Sequence, residues 1–200
     1  MKVLAFSDLH LARAYAARIV EKSREADLVI AAGDFAHART GLAAAMALLE
    51  GIAAPVVAVP GNGESVDELR AAAPESWHVL HGQGIEIDGV RIFGLGYGVP
   101  VTPFGAWSCD LSEAQAEEML AACEDVDLLV THSPPKGIAD RTSRGLSVGS
   151  TAILAAIERL QPQLAVFGHV HEGQGKEGRV GATRAVNLGP AGLWFEVSRQ

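Results

Sequence analysis

Five short stretches of this chain place oxygen and imidazole donors directly after runs of aliphatic residues. They are Ser7-Asp8-Leu9-His10, Gly33-Asp34, Gly61-Asn62-Gly63-Glu64, Thr131-His132 and Gly168-His169-Val170-His171. Carboxylate, imidazole and amide oxygen together suit ions such as Mn²⁺, Fe or Zn²⁺, and no thiolate set accompanies them. The two cysteines, Cys109 and Cys123, lack a second pair to complete a zinc knuckle and read as reduced thiols. Taken singly, each stretch has a bland explanation: Asp-x-His can cap a helix, Gly-Asn-Gly can make a tight turn, and His-x-His on a strand only puts two rings on one face. Five in series, each at the carboxyl end of a strand pattern, point to a single site, because ligands of open α/β sheets bind at that edge.

The elements that must carry these donors are legible as hydrophobic patterns. Val3 to Phe6, Leu28 to Ala32, Val56 to Val59, Leu128 to Thr131 and Leu164 to Phe167 are short continuous apolar runs, as expected of strands covered on both faces. Helical patterns lie between them: Leu11 to Glu25, Gly41 to Ile52, Ser65 to Ala72, Ser112 to Cys123 and Thr151 to Leu160. Ser112 with Gln115 forms a candidate capping box, and Ser150 or Thr151 is placed to cap the last helix. Asp88-Gly89 between two alternating segments predicts a hairpin, and a second hairpin is expected to join Arg184–Leu188 to Leu193–Val197. The pattern implies a layered α/β protein with mixed sheets and helices outside, formed as one domain over residues 1–200. Residues 97–110 and 133–149 lack periodicity and are long for connections, which marks them as functional or mobile loops.

Composition narrows the function. With 48% hydrophobic and 20% charged residues the chain is globular, and its apolar runs are of strand length, so no membrane partner is expected. No export signal precedes the first strand, which leads to a cytoplasmic expectation. A formal charge of −8 and the lack of a basic stripe argue against binding long nucleic acids, although bound cations would reverse the sign locally. Nothing in the sequence sets the oligomeric state.

The order Asp-x-His, Gly-Asp, Gly-Asn, lone His and Gly-His-x-His resembles the calcineurin-like metallophosphoesterase superfamily. The likeness runs from Asp8 to Asn187-Leu188-Gly189, which is similar to that family's closing Asn-x-Gly. Thr131-His132-Ser133-Pro134-Pro135-Lys136-Gly137 and His171-Glu172-Gly173 further resemble its small brain-type metallophosphodiesterase branch. The resemblance implies an α/β/β/α sandwich of two mixed sheets with flanking helices. It also implies two divalent metal ions, with Mn²⁺ expected to serve in vitro. Asp8, His10 and His171 would hold the first ion, Asn62, His132 and His169 the second, and Asp34 would bridge them. A small phosphodiester or phosphomonoester would then be cleaved by a hydroxide activated between the cations.

One position departs from the pattern. The family has histidine after the asparagine, usually taken as phosphate-orienting residue and general acid, where this chain has Gly63. Three readings remain: His37 or Glu64 substitutes; the substrate carries a good leaving group; or the protein is a metal-binding pseudoenzyme or interaction scaffold on the same fold. Asn62, Lys136, Arg141 and Arg144 are candidates for contacting the substrate, the two arginines because a guanidinium matches phosphate oxygens. Phe104 and Trp107 could stack on an aromatic group or simply anchor their loop. His78 and His81 read as structural.

Overall fold

The computed structural model describes residues 1–199. In chain order it contains β1 (Lys2–Phe6), α1 (Arg13–Lys22), β2 (Leu28–Ala31), α2 (Leu42–Leu48), β3 (Val56–Ala58), α3 (Val66–Ala72), β4 (Trp77–Val79), β5 (Gln83–Ile87) and β6 (Val90–Leu95). There follow α4 (Glu113–Ala121), β7 (Leu128–Thr131), α5 (Thr151–Leu160), β8 (Leu164–Phe167), β9 (Glu177–Val180), β10 (Thr183–Asn187) and β11 (Leu193–Glu196). One sheet has the order β11-β1-β2-β3-β4 and the other β5-β6-β7-β8-β10-β9. Both are mixed. β1 to β4 run parallel with β11 antiparallel beside β1, and the parallel set β6-β7-β8-β10 is flanked by antiparallel β5 and β9.

Side-chain alternation explains why these strands are apolar throughout. Val3 and Ala5 of β1, Leu28 and Ile30 of β2, Leu128 and Val130 of β7 and Leu164 and Val166 of β8 meet in one buried layer between the sheets. The alternate residues face outward: Leu4, Phe6 and Val29 pack under α1 and α2, whereas Leu129, Ala165 and Phe167 pack under α4 and α5. A strand sandwiched this way has no wet face, so its sequence loses the polar alternation of an exposed sheet. The expected α/β/β/α layering is therefore present.

Helix ends follow local chemistry. Ser112 Oγ accepts from Gln115 N while the Gln115 side chain accepts from Ser112 N, the reciprocal box read in the sequence, and Ser150 Oγ accepts from Ile153 N at the start of α5. Ser65 and Glu68 make a second such box at α3.

The hairpin expected between Arg184–Leu188 and Leu193–Val197 does not exist. β10 pairs with β8 and β9, and β11 pairs with β1 in the opposite sheet. The turn residues 189–192 carry the chain across the sandwich instead of folding it back.

Candidate metal centre

All five donor-bearing stretches emerge at the same rim of the sandwich. Those after β1, β2 and β3 come from one sheet, and those after β7 and β8 from the other. Their side chains form two trios, Asp8 with His10 and His171, and Asp34 with His132 and His169, in each of which the donor atoms lie within 4.8 Å of one another. Asp34 stands between the two: its Oδ2 is 3.6 Å from His10 Nε2 and its Oδ1 is 3.6 Å from His132 Nε2. Asn62 Oδ1 joins the second trio, 3.2 Å from His132 Nε2 and 3.0 Å from His169 Nδ1.

Backbone strain and close packing aim these groups. Asp8, His10, Asp34 and His169 all adopt positive φ, between 45° and 67°, which costs a non-glycine residue of order 1 kcal/mol each and collects where function constrains the chain. Gly61 is required beside them: a Cβ there would stand 2.0 Å from Asp34 Oδ1 and 2.3 Å from Asp34 N. At Gly63 the space is tight but not closed, since a Cβ would meet Asp34 Oδ1 at 3.1 Å.

Hydrogen bonds fix the orientation of the rings and the amide. His10 Nδ1 donates to Ala36 O at 2.9 Å and His132 Nδ1 to Ala32 O at 2.8 Å, because a carbonyl can only accept. Each ring, when neutral, therefore turns an Nε2 lone pair into the cluster. The Nε2 atoms of His10 and His171 face each other at 3.1 Å. Two nitrogens held about 2.1 Å from one ion on perpendicular axes would lie about 3.0 Å apart, so this pair fits a shared cation. Asn62 Nδ2 donates to Ser108 Oγ at 2.9 Å, and Ser108 Oγ donates to Asp110 Oδ1 at 2.9 Å, a chain that points the amide oxygen at the second trio.

Supporting contacts tie the sheets together at this rim. Asp8 accepts from the His169 backbone N–H at 3.0 Å and from Ser7 Oγ at 2.5 Å. Asn187 Nδ2 donates to Val170 O at 3.0 Å and Gly168 O at 3.3 Å, which gives the closing Asn-x-Gly a role in shaping the His169–His171 turn.

Charge follows from these surroundings. Burial opposes ionisation of Asp8, yet the hydrogen bond from His171, the nearby His132 and the bond from Ser7 prevail and hold it at about 2. Burial, reinforced by repulsion from His132, pushes His169 down to about 4 against the pull of Asp34 and Asp8. At His132 burial is outweighed by Asp34 and Asp8, and the pKa rises. A compact set of carboxylates and imidazoles so arranged can hold divalent cations.

The other sequence candidates are placed less uniformly. His37 is exposed and stacks on the His10 ring at 4.8 Å with an interplanar angle of 5°. Glu64 is not in the pocket. It is buried behind Asp34, its Oε1 accepting from Asp34 N at 2.8 Å and Gly61 N at 2.7 Å, and burial together with repulsion from Asp34 raises it to about 7. It therefore clamps the two loops and does not line the cavity over the trios.

A cavity of about 420 Å³ over the two trios is lined by His10, Asp34, Asn62, His169, His171 and the rings of Phe104 and Trp107, among others. Lys136, Arg141 and Arg144 do not line it. Lys136 Nζ donates to Ser147 O and Arg141 Nη1 to Gly145 O, while Lys136 and Arg144 border an adjoining cleft. A wider depression of about 810 Å³ lies beside β4 and β5, with His78 in its wall and none of the trio residues. His81 accepts from Gly96 N at 3.2 Å, and burial lowers it to about 4. The sequence reading missed Ser108 and Asp110, whose only sign was their place in a long aperiodic loop.

Comparison with known proteins agrees with this geometry. Residues 1–200 match the family described as the calcineurin-like phosphoesterase superfamily domain. Metallophosphoesterase domain-containing protein 1 of Homo sapiens is 39% identical over 121 residues, covering 58% of this chain and 35% of that protein. The UPF0046 protein T07D4.2 of Caenorhabditis elegans is 31% identical over 134 residues, covering 65% and 32%. The chain thus spans about a third of these relatives. Among solved structures, TT1561 of Thermus thermophilus superposes with a TM-score of 0.73 at 18% identity, covering 95% of this chain and 90% of that one. A dimetal phosphatase from Danio rerio does so with a TM-score of 0.65 at 14% identity, covering 96% and 88%. At such identities the structures establish the fold.

Proposed function

The chain belongs to the calcineurin-like phosphoesterase superfamily, and from that premise we propose that it hydrolyses small phosphoesters at a centre of two divalent metal ions. The observation that carries this reading is the pair of donor trios with the Asp34 carboxylate between them, one oxygen towards each. Asp8, His10 and His171 would hold one ion, Asn62, His132 and His169 the other, with Asp34 shared. Cations in these places supply Lewis acidity towards phosphoryl oxygens and lower the pKa of water towards neutrality.

The chain's own residues then supply order. Ala36 O and Ala32 O hold His10 and His132 in the tautomer that leaves Nε2 free, and Ser108 keeps the Asn62 oxygen turned inward. Glu64 fixes the backbone of Asp34 and Gly61, and Phe104 and Trp107 line one side of the cavity. With Gly63 in place of histidine, His37 is the imidazole beside the pocket that is free to give a proton to the departing group. Mn²⁺-dependent hydrolysis of bis(p-nitrophenyl) phosphate tests the reading: Asp34→Asn should abolish it, and turnover that survives would refute the shared carboxylate. Gly63 also favours a second reading, a metal-binding scaffold without activity. The enzyme should bind about two ions per chain and turn over with added metal; a scaffold should hold substoichiometric metal and stay inert.

A further inference from the structure

Resting on the phosphoesterase reading, we propose that the ester bears an apolar chain, and that this chain lies in a cleft leading away from His169 between the two long loops. The cleft encloses about 590 Å³ and shares Phe104, Thr142, Val148 and His169 with the cavity over the donor trios, so the two are continuous. Its volume falls within the range of ordinary small-molecule sites.

Two independent features specify the occupant. The first is where apolar surface is left uncovered. Among the described residues seven large hydrophobic side chains are exposed, and five of them, Val101, Phe104, Trp107, Leu146 and Val148, belong to the two loops that frame these openings. Exposed apolar residues concentrated at one place mark a binding surface, whereas scattered ones mean little. The second is that most polar side chains in the cleft are already engaged, Thr142 Oγ1, buried without a partner, and Arg144 at the border being the exceptions. Lys136 Nζ donates to Ser147 O, Ser147 Oγ to Asp140 and Thr102 Oγ1 to Asp110 Oδ2. The Glu113 carboxylate accepts from Ser150 Oγ, Thr151 N and Ala152 N at the start of α5. A sugar or nucleoside placed there would lose water from its hydroxyls and find few free partners in exchange, which disfavours it. An alkyl or acyl chain loses nothing of the kind and covers Val101, Leu146 and Val148.

Straight-chain alkylphosphonates from methyl to octyl probe this directly, as non-hydrolysable ligands titrated calorimetrically into the Mn²⁺-loaded protein. Each methylene taken into the cleft should tighten binding about threefold to fourfold until the cleft is full, and the heat-capacity change should become more negative with length. Leu146→Asp, a change at a surface position, should flatten the dependence. Affinity independent of length, a dependence that survives Leu146→Asp, or a nucleoside monophosphate binding more tightly than octylphosphonate would each overturn the proposal. Hydrolysis of bis(p-nitrophenyl) phosphate is measured in parallel to separate the two claims. Length-dependent binding without hydrolysis sinks the phosphoesterase reading and keeps the cleft, and hydrolysis without length dependence does the reverse.

Discussion

The two donor trios share one rim but differ in how they are held. The trio of Asp34, His132 and His169 is the more deeply backed: the His132 side chain is 0% exposed, its Nδ1 is bonded to Ala32 O, and Asn62 is steered by Ser108. In the trio of Asp8, His10 and His171, the His171 side chain is 54% exposed and sits on a single 3-10 turn, His171–Gly173. The difference teaches that a site read as two equivalent halves in a list of ligands is asymmetric in rigidity. The buried half is built by folding, whereas the open half still has room to adapt to an ion or a substrate.

Removing one imidazole from each half is the strongest way to break this contrast. His132→Ala should cost on the order of 2–4 kcal/mol of stability even in metal-free protein, because it leaves a buried cavity and an unpaired carbonyl, and should eliminate turnover. His171→Ala should cost less, on the order of 1 kcal/mol in metal-free protein, because it removes a half-exposed partner of the buried Asp8 without opening a cavity, while metal analysis shows one ion lost. Equal destabilisation by both would end the asymmetry.

The buried half should also show a pH signature. Glu64 is raised to about 7 from an ordinary 4.5, so the folded chain binds a proton that the unfolded chain releases. Its contribution is thus most favourable below pH 4.5 and declines as pH rises from there to about 7, by on the order of 3 kcal/mol. Denaturant titrations of metal-free wild type and Glu64→Gln across that window read this as a difference: the lowered His169 and His81 gain stability with rising pH in both proteins, so the stability of wild type relative to the variant should fall, and an unchanged difference would deny the raised Glu64. Next in size, Ser108→Ala frees the Asn62 amide and should weaken metal binding at the trio that Asn62 joins about tenfold, measured by competition with a chelating dye; unchanged affinity would deny Ser108 a positioning role. The smallest effect belongs to His37→Ala, expected to slow alkyl leaving groups several-fold while hardly touching p-nitrophenolate. An equal loss on both would deny it the proton.

Much of the site is legible in the sequence because its donors follow strands buried on both faces, and such strands announce themselves as unbroken aliphatic runs. Asp8, Asp34, Asn62, His132 and the His169–His171 pair stand out for this reason, and the structure brings them together. The layered architecture is legible on the same grounds. Other features have no local signature. Leu193–Glu196 follows Thr183–Asn187 as a hairpin partner would, but alternation reports a covered face and not which sheet provides the cover. Glu177–Val180 is a largely exposed edge strand, so its polar sequence does not declare it. The positive φ angles at Asp8 and His169 come from tertiary contacts, not from residue type, and Glu64 looks catalytic in the sequence only because its neighbours are donors.

One consequence reaches beyond the chemistry. Asp8 and His10 leave one sheet and His171 the other; Asp34 and Asn62 leave the first, His132 and His169 the second. An ion seated in either trio would act as a rivet between the leaves of the sandwich, joining segments more than a hundred residues apart in some cases. Occupancy would then add directly to the free energy of unfolding, in proportion to the logarithm of free ion over its dissociation constant. A chelator would loosen the rim first and leave the helical faces intact.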